Sequence, residues 1–304
     1  MNANEMTLAA VGCSGHVGEI FVKEFLKSGI KLRILARNSD ALSERYPGAT
    51  VIKGSMLNPD DVARVMEGAD AAFVMTPMGM RNDPHPEVEA ARSVVTGAKR
   101  SKLKHLIYTS VLGADHLTGV GILDAKYEIE RLLASSGIPW TALRCGSYME
   151  DVFDVRLALL NQGKFFFPLN KDRRFTYTSQ MDVPRFVVEH LLPAEQPMNK
   201  PLNFVAPGTF SLRDIERLLS EAKGSPIRTV NKFPTYYLYM SALPLLSLRR
   251  HRFSSILPLL KYFDRCGYAD HGKTVQDLFP QFQMTTVQEH FRRLWSHNEN
   301  KAGS

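Results

Sequence analysis

Short apolar runs alternate with helix-length amphipathic segments through the first half of the chain: MTLAAV, then Gly15 to Ser28; KLRILA, then Asp40 to Arg45; ATVIKG, then Pro59 to Glu67. The rhythm continues with DAAFVMT, then Glu87 to Lys99; KHLIYTS, then Leu123 to Ser135; and PWTALRC closes the series. Strands and helices alternating at this spacing predict right-handed βαβ units and an α/β fold, a doubly wound parallel sheet of six strands covered on both faces. Ser28-Gly29 and Ser136-Gly137 fall where helices hand the chain to the next strand.

After Cys145 the rhythm breaks up. Tyr148 to Gln162 reads as a helix, GKFFFP as a short strand and DVPRFVVEHLL as another helix, while PLNFVA, near 202–206, reads as a strand returning to the main sheet. Ser211 is placed to cap LRDIERLLSEA, Gly224 to end it, and TTVQEHFRRLW reads as a terminal helix. The division this implies is a first domain over 1–150 and a smaller, mostly helical lobe over 151–304.

Composition narrows the class. The 304 residues suit one large α/β domain with a lobe, and 44% hydrophobic with 23% charged residues is ordinary for a soluble globular protein. No basic leader with an apolar run opens the chain, and no apolar stretch reaches the ~18 residues of a membrane span, so a cytoplasmic protein is expected. Cys13, Cys145 and Cys266 form no CxxC pair and the histidines are scattered singly, which argues against disulfides and against a metal site.

The formal charge of +7 is concentrated late: eight basic residues stand against two acids between Arg228 and Lys273. No helix-turn-helix, zinc or ribonucleoprotein motif accompanies them, so nucleic acid is not expected as a partner. The aromatic, leucine-rich stretch Phe233 to Cys266 leaves three readings, in order of preference: a lid and lobe core over a small apolar substrate, a protein-partner or homodimer surface, and a membrane-surface contact.

The sharpest chemical signal is AAVGCSGHVGEIF, residues 9 to 21, with Gly12, Gly15 and Gly18 between the first strand and the first helix. Glycine permits a tight turn and lets backbone N–H groups approach a pyrophosphate, and the helix N-terminus adds partial positive charge. The bland alternative is a turn with close helix packing. About twenty residues past the loop, where an NAD binder carries Asp or Glu for the ribose hydroxyls, stands Arg37, a cation suited to a 2′-phosphate. NADP(H) is therefore expected in preference to NAD(H).

The GxxGxxG spacing resembles the extended and atypical branches of the short-chain dehydrogenase/reductase superfamily. Further segments resemble one branch, the NmrA-like family: MTP with Gly79, YTSVLGAD, and KYEIERLLASSGIPWTALRCGSYMED with Lys126, Glu130, Gly137 and Thr141 to Arg144. DVPRFVVEHLL and NFVAPGTFSLRDIERLLSEAKG extend the likeness to roughly residues 6 to 225. The resemblance implies a Rossmann domain in which Gly12, Ser14, Gly15, His16, Val17 and Gly18 line the pyrophosphate and Arg37 meets the adenosine phosphate. It places Gly54 and Ser55 beside adenine, where the family commonly has Gly-Asp. Thr76, Pro77 and Met78 are then expected to border the nicotinamide ribose, with Ser110 and Lys126 nearer the reacting ring.

One departure is chemical. Reductases of the superfamily use Tyr-x-x-x-Lys, a spacing that puts phenol and ammonium on one helix face so that the lysine eases proton transfer. Four residues before Lys126 this chain has Ile122, and Tyr127 points about 100° away. Three outcomes stay open: hydride transfer with the proton from water, His116 or Tyr148; reduction of acceptors activated enough to need little acid help; or binding of NADP(H) without turnover. Ser110 reads equally as a strand-end hydroxyl and as a catalytic one, and His116 also as a solvent-facing loop residue. Asp151 replaces the asparagine frequent in the family, and Cys13 reads as a small packing residue. The expectation is an NAD(P)H-dependent reductase of a quinone, enone or imine; the rival is a catalytically silent, redox-sensing regulator that binds a protein partner.

Overall fold

The structure, a computed structural model, describes residues 5–78, 82–167, 169–230, 250–269 and 272–302. Its centre is a seven-stranded sheet. Six strands are β1 (Thr7–Val11), β2 (Lys31–Ala36), β3 (Ala49–Lys53), β4 (Ala71–Val74), β5 (Leu106–Val111) and β6 (Trp140–Cys145), and the seventh is Lys200–Phe204. Across the sheet they run Lys200–Phe204, β6, β5, β4, β1, β2, β3. β1 pairs in parallel with both β2 and β4, Val11 standing beside Leu35 and Val74. The chain winds outward one way through β2 and β3 and the other way through β4 to β6, so β1 and β4 flank the point where the order reverses. In such sheets ligands bind beyond the carboxyl ends of those strands.

The helices between the strands are α1 (His16–Lys27), α2 (Ser39–Arg45), α3 (Pro59–Met66), α4 (His85–Arg100) and α5 (Gly121–Ala134). β1 buries Leu8, Ala9, Ala10 and Val11 completely, as a strand covered on both faces must. The core over it is aliphatic, from Val62, Val65 and Met66 of α3 through Val88, Ala91, Val94 and Val95 of α4 to Ala125, Ile129 and Leu133 of α5. Local signals behave as their chemistry requires. Asn58 caps α3, accepting from the Asp60 N–H at 3.0 Å with Pro59 at the first helical position. Gly29 and Gly137 take the left-handed conformation after α1 and α5, at φ 78° and 75°.

The chain divides into two compact units. The first is Met1–Gly79, Asp83–Arg144 and Gln180–Asn203; the second is built mainly from Cys145–Ser179 and Phe204–Ser304. Within the second, Ser211 and Asp214 form a capping box on the helix Leu212–Lys223, and Gly224 ends it at φ 72°. Its core is aromatic: the Phe153 ring lies 4.7 Å from Phe291, 5.3 Å from Tyr177 and 5.7 Å from Phe165.

Two expected helices differ from the reading of the sequence. Tyr148 to Gln162 is not continuous but three short pieces, Met149–Val152, a tighter turn at Asp154–Arg156, and Leu157–Asn161. The cause is Arg156, whose guanidinium donates to the carbonyls of Asp151 and Val152, at 3.1 and 2.6 Å, and of Phe166 at 3.1 Å, engaging acceptors a continuous helix would have used. DVPRFVVEHLL begins as an α-helix at Asp182–Phe186 and widens into a π-turn at Val187–Leu191. Of the stretch 233–266, residues 233–249 lie outside the described residues and Arg250–Cys266 is a helix with Pro258 inside it. Among the described residues no helix is long and apolar enough to cross a membrane, and no three His, Cys, Asp or Glu gather to hold a metal ion.

Candidate active site

The three glycines of the first turn are glycines for different reasons. A Cβ on Gly12 would stand 1.8 Å from the Met75 carbonyl oxygen, at a φ of 81°, and one on Gly18 would stand 2.4 Å from the Cys13 backbone. Those two are dictated by the turn and by the seating of α1 against it. Gly15 is not: a Cβ there meets nothing within 4 Å. Gly15 is also the N-cap of α1, and no side chain caps that end. With Ser14, Gly15 and His16 exposed and Val17 half-buried, the loop is an open cradle of backbone at a helix N-terminus, the arrangement that holds phosphate. Cys13 points away from it, fully buried, its thiol pushed up to about 12 by burial, which makes it a packing residue and no nucleophile.

Arg37, one residue past the end of β2, is exposed and has no ion-pair or hydrogen-bond partner among the described residues. β2 is the direct neighbour of β1, so this free guanidinium ends the strand next to the one that carries the glycine loop. Gly54 and Ser55 follow β3. A Cβ on Gly54 would meet the Asp61 side chain at 2.7 Å, and Asp61 accepts a hydrogen bond from the Ser55 N–H at 2.9 Å while pairing with Arg64 at 2.7 Å. The carboxylate that the sequence reading finds missing at Ser55 is thus supplied from the first turn of α3.

The carboxyl end of β4 adjoins the glycine loop: the Met75 N–H donates to the Val11 carbonyl at 2.9 Å. Thr76 follows, half-buried, and Pro77 and Met78 are exposed. Behind Thr76 lie three side chains from three elements, Tyr108 of β5, Glu87 of α4 and Lys126 of α5. Lys126, in the second turn of α5, is 9% exposed and places its Nζ 2.7 Å from Glu87 Oε1, 2.9 Å from the Tyr108 hydroxyl and 3.1 Å from Thr76 Oγ1. Thr76 Oγ1 donates to the same Glu87 oxygen at 2.6 Å and lies 2.8 Å from the Tyr108 hydroxyl. Glu87, in the first turn of α4, is wholly buried, and its second oxygen has no hydrogen-bond partner. Burial opposes the charge on Lys126, but Glu87 and Tyr108 outweigh it and hold the ammonium above the ordinary lysine range. Burial pushes the Tyr108 phenol up to about 12, with Lys126 opposing.

A second cluster hangs from the same strand and helix. Ser110, two residues beyond Tyr108 on β5, donates to Glu130 Oε1 at 2.6 Å, and Glu130, one turn beyond Lys126, takes the Arg144 guanidinium at 2.6 Å. Arg144 also donates to the Ala114 carbonyl at 3.2 Å. Ser110 is buried and its hydroxyl donates to this carboxylate. His116 is exposed on the loop after β5, its Nδ1 2.9 Å from the neighbouring Asp115. Tyr148 belongs to the second unit, where burial first and then Cys145, Asp151 and Glu150 hold its phenol well above the ordinary range.

The structure therefore gathers Thr76 and Lys126 at one place and leaves Ser110, His116 and Tyr148 out of their hydrogen-bonded group. It adds Tyr108 and Glu87, which the sequence reading missed. Tyr108 was findable, since residues two apart on a strand share a face, so Ser110 near the site implies Tyr108 near it too. No spacing links Glu87 to Lys126.

Comparison with known proteins bears on the family and the fold. The model of the NmrA-like family matches residues 4–291. The chain is 24% identical to an NAD(P)H azoreductase of Xenophilus azovorans over 73% of its own length and 76% of the relative's. It is 22% identical to the photosystem II assembly factor Ycf39 of Cyanophora paradoxa, over 78% and 74% of the two chains. Among solved structures it superimposes with a TM-score of 0.74 on an NADPH-dependent quinone oxidoreductase of Escherichia coli complexed with NADPH, at 21% identity, covering 95% of this chain and 99% of that one.

Proposed function

The chain belongs to the NmrA-like family, and we propose that it is an NAD(P)H-dependent reductase, with NADPH the preferred donor and a small, largely apolar acceptor such as a quinone, an enone or an imine. The observation that carries the reading is Gly15: of the three loop glycines it is the one the protein's own packing leaves optional, and it opens an uncapped helix N-terminus. A phosphate lying on Ser14 to Gly18 accounts for a glycine at that position. The unpartnered Arg37 accounts for the choice of NADP, since a 2′-phosphate answers its charge. The azoreductase and the quinone oxidoreductase among its relatives support the reaction class.

Bound at this site, the dinucleotide supplies hydride to the acceptor. The chain's own residues do the rest. Loop N–H groups and Arg37 hold the phosphates, and Thr76, Pro77 and Met78 border the ribose next to the reacting ring. The Lys126 ammonium is engaged by Glu87, Tyr108 and Thr76 and, at 3.4 Å, by the Thr109 carbonyl, so its influence on the ribose or the acceptor passes through Thr76.

Ile122, buried on α5 where the usual tyrosine is absent, favours the rival reading of a silent NADP(H)-responsive regulator. NADPH oxidation against a panel of quinones, enones and imines decides between them. Turnover establishes the reductase; binding followed by nicotinamide fluorescence with no turnover establishes the regulator; no binding removes both. Gly15→Val keeps the thermal unfolding curve, because the loop has room for the side chain, and abolishes NADPH binding. Arg37→Glu weakens NADPH at least about tenfold more than NADH, the size of one charge-assisted hydrogen bond; equal weakening removes the 2′-phosphate assignment.

A further inference from the structure

The tyrosine absent from α5 has a counterpart on the sheet. Tyr108 reaches Lys126 Nζ at 2.9 Å from β5, which restores the phenol–ammonium pair from a different element. Unlike a helix tyrosine that meets substrate itself, Tyr108 is buried, and its hydroxyl is 2.8 Å from that of Thr76. Thr76 is the exposed end of the cluster: half-buried, at the carboxyl end of β4, one residue from Met75, whose carbonyl packs against the glycine loop. The hydrogen bonds run without a gap from ammonium to phenol to threonine. Glu87 backs the chain with a buried carboxylate, one oxygen of which has no other partner.

Resting on the reductase reading, we propose that Thr76 is the proton-donating residue of this enzyme, the outer end of a relay Lys126–Tyr108–Thr76. For an enone the balance is as follows. Hydride forms a C–H bond at the β-carbon, and the electron pair of the C=C bond moves to the α-carbon. That carbon takes the Thr76 hydroxyl proton, once the hydroxyl has turned from Glu87. Thr76 is refilled from Lys126, through the Tyr108 phenol or across their direct 3.1 Å hydrogen bond, and Lys126 is left as a neutral amine beside the Glu87 carboxylate until water returns a proton after product leaves. One hydride and one proton have been added, and nothing else is consumed.

The environment of the relay selects what it serves. A phenol raised to about 12 by burial gives up its proton only to a strong base. A carbanion formed from an enone is such a base. The anion of a hydroquinone is stabilised by its ring, is a weaker base, and takes its proton from water. The relay therefore matters for enones and adds little for quinones.

The test compares kcat for cyclohexenone and benzoquinone at saturating NADPH, with binding followed by nicotinamide fluorescence. Thr76→Val lowers the ratio of enone to quinone kcat by about 100-fold, the lower end of a general acid's contribution, Tyr108→Phe lowers it by less because Lys126 still reaches Thr76 directly, and Thr76→Ser restores most of what Thr76→Val loses. A fall shared equally by both acceptors, or an enone rate untouched by either substitution, overturns the relay. So does a wild-type protein that reduces benzoquinone and not cyclohexenone, which leaves the reductase reading standing. A wild-type protein that oxidises NADPH with neither acceptor removes the relay, and the panel of quinones, enones and imines then decides the reductase reading separately. Tyr108→Phe keeps the ring's packing, so it decides the matter if Thr76→Val no longer binds NADPH.

Discussion

Two buried ion pairs are carried by α5, one helical turn apart, Lys126 with Glu87 of α4 and Glu130 with Arg144 of β6, and they are built to opposite ends. At one, Lys126 meets Glu87 directly at 2.7 Å, with two hydroxyls beside the pair and one carboxylate oxygen left over. At the other, Arg144 grips both oxygens of Glu130, at 2.6 to 3.1 Å, and Ser110 completes the set. An arginine fork on a carboxylate is rigid and always charged, so it fixes geometry. A lysine among hydroxyls is a point charge whose protons have somewhere to go. The clusters are offset by two residues along the strand, Tyr108 to Ser110, and by four along the helix, Lys126 to Glu130, so both face the same way; what separates a brace from the proposed proton path is which side chain the rest of the fold brings up.

The largest test of that contrast removes the acids. Glu130→Ala and Glu87→Ala each strand a buried cation and lower stability by about 3–5 kcal/mol in urea unfolding. Below the melting range the folded Glu87 variant also loses NADPH oxidation; if the folded Glu130 variant loses it equally, the two clusters are one site and the contrast fails.

Next in size is the pH dependence of the strand that carries both clusters. His105, one residue before β5, is buried between the Leu191 carbonyl and the Thr141 hydroxyl, at 3.2 and 2.9 Å, and burial pushes it down to about 4. It is neutral in the folded protein, and the unfolded chain binds the proton more readily. Its contribution is present above about pH 6.5 and is lost as pH falls toward 4, on the order of 3 kcal/mol in all. Urea midpoints of wild type and His105→Gln between pH 7 and pH 4 measure it, and parallel curves overturn it.

The smallest effect is that of Ser110→Ala, about 1 kcal/mol, one hydrogen bond to a carboxylate whose other partners remain. If that variant instead loses turnover while keeping its unfolding midpoint, Ser110 belongs to the chemistry and not to the brace.

Much of the fold was legible because the signals are local. The alternation of runs and amphipathic segments gives the strands and helices of the first unit, and Ser211 with Gly224 brackets its helix. The strand at Lys200–Phe204 was readable near its place. The helix over Tyr148 to Gln162 was misread because its interruption depends on the Arg156 side chain reaching back to carbonyls and on to Phe166, interactions no periodicity records.

At the site the division is the same. The sequence by itself determined that a glycine loop opens the first helix, that a cation follows the second strand, and that α5 has a lysine without its tyrosine, since each is a matter of residue type at a fixed position on one element. Only the tertiary structure decided that Gly15 is the loop glycine with open space around it, that Asp61 places an acid beside Ser55, and that Tyr108, Glu87 and Thr76 close on Lys126. Those depend on β4 and β5 lying side by side with α4 and α5 packed together above them, and side chains from three elements meet Thr76 there because strand order, which no local pattern encodes, sets them next to one another.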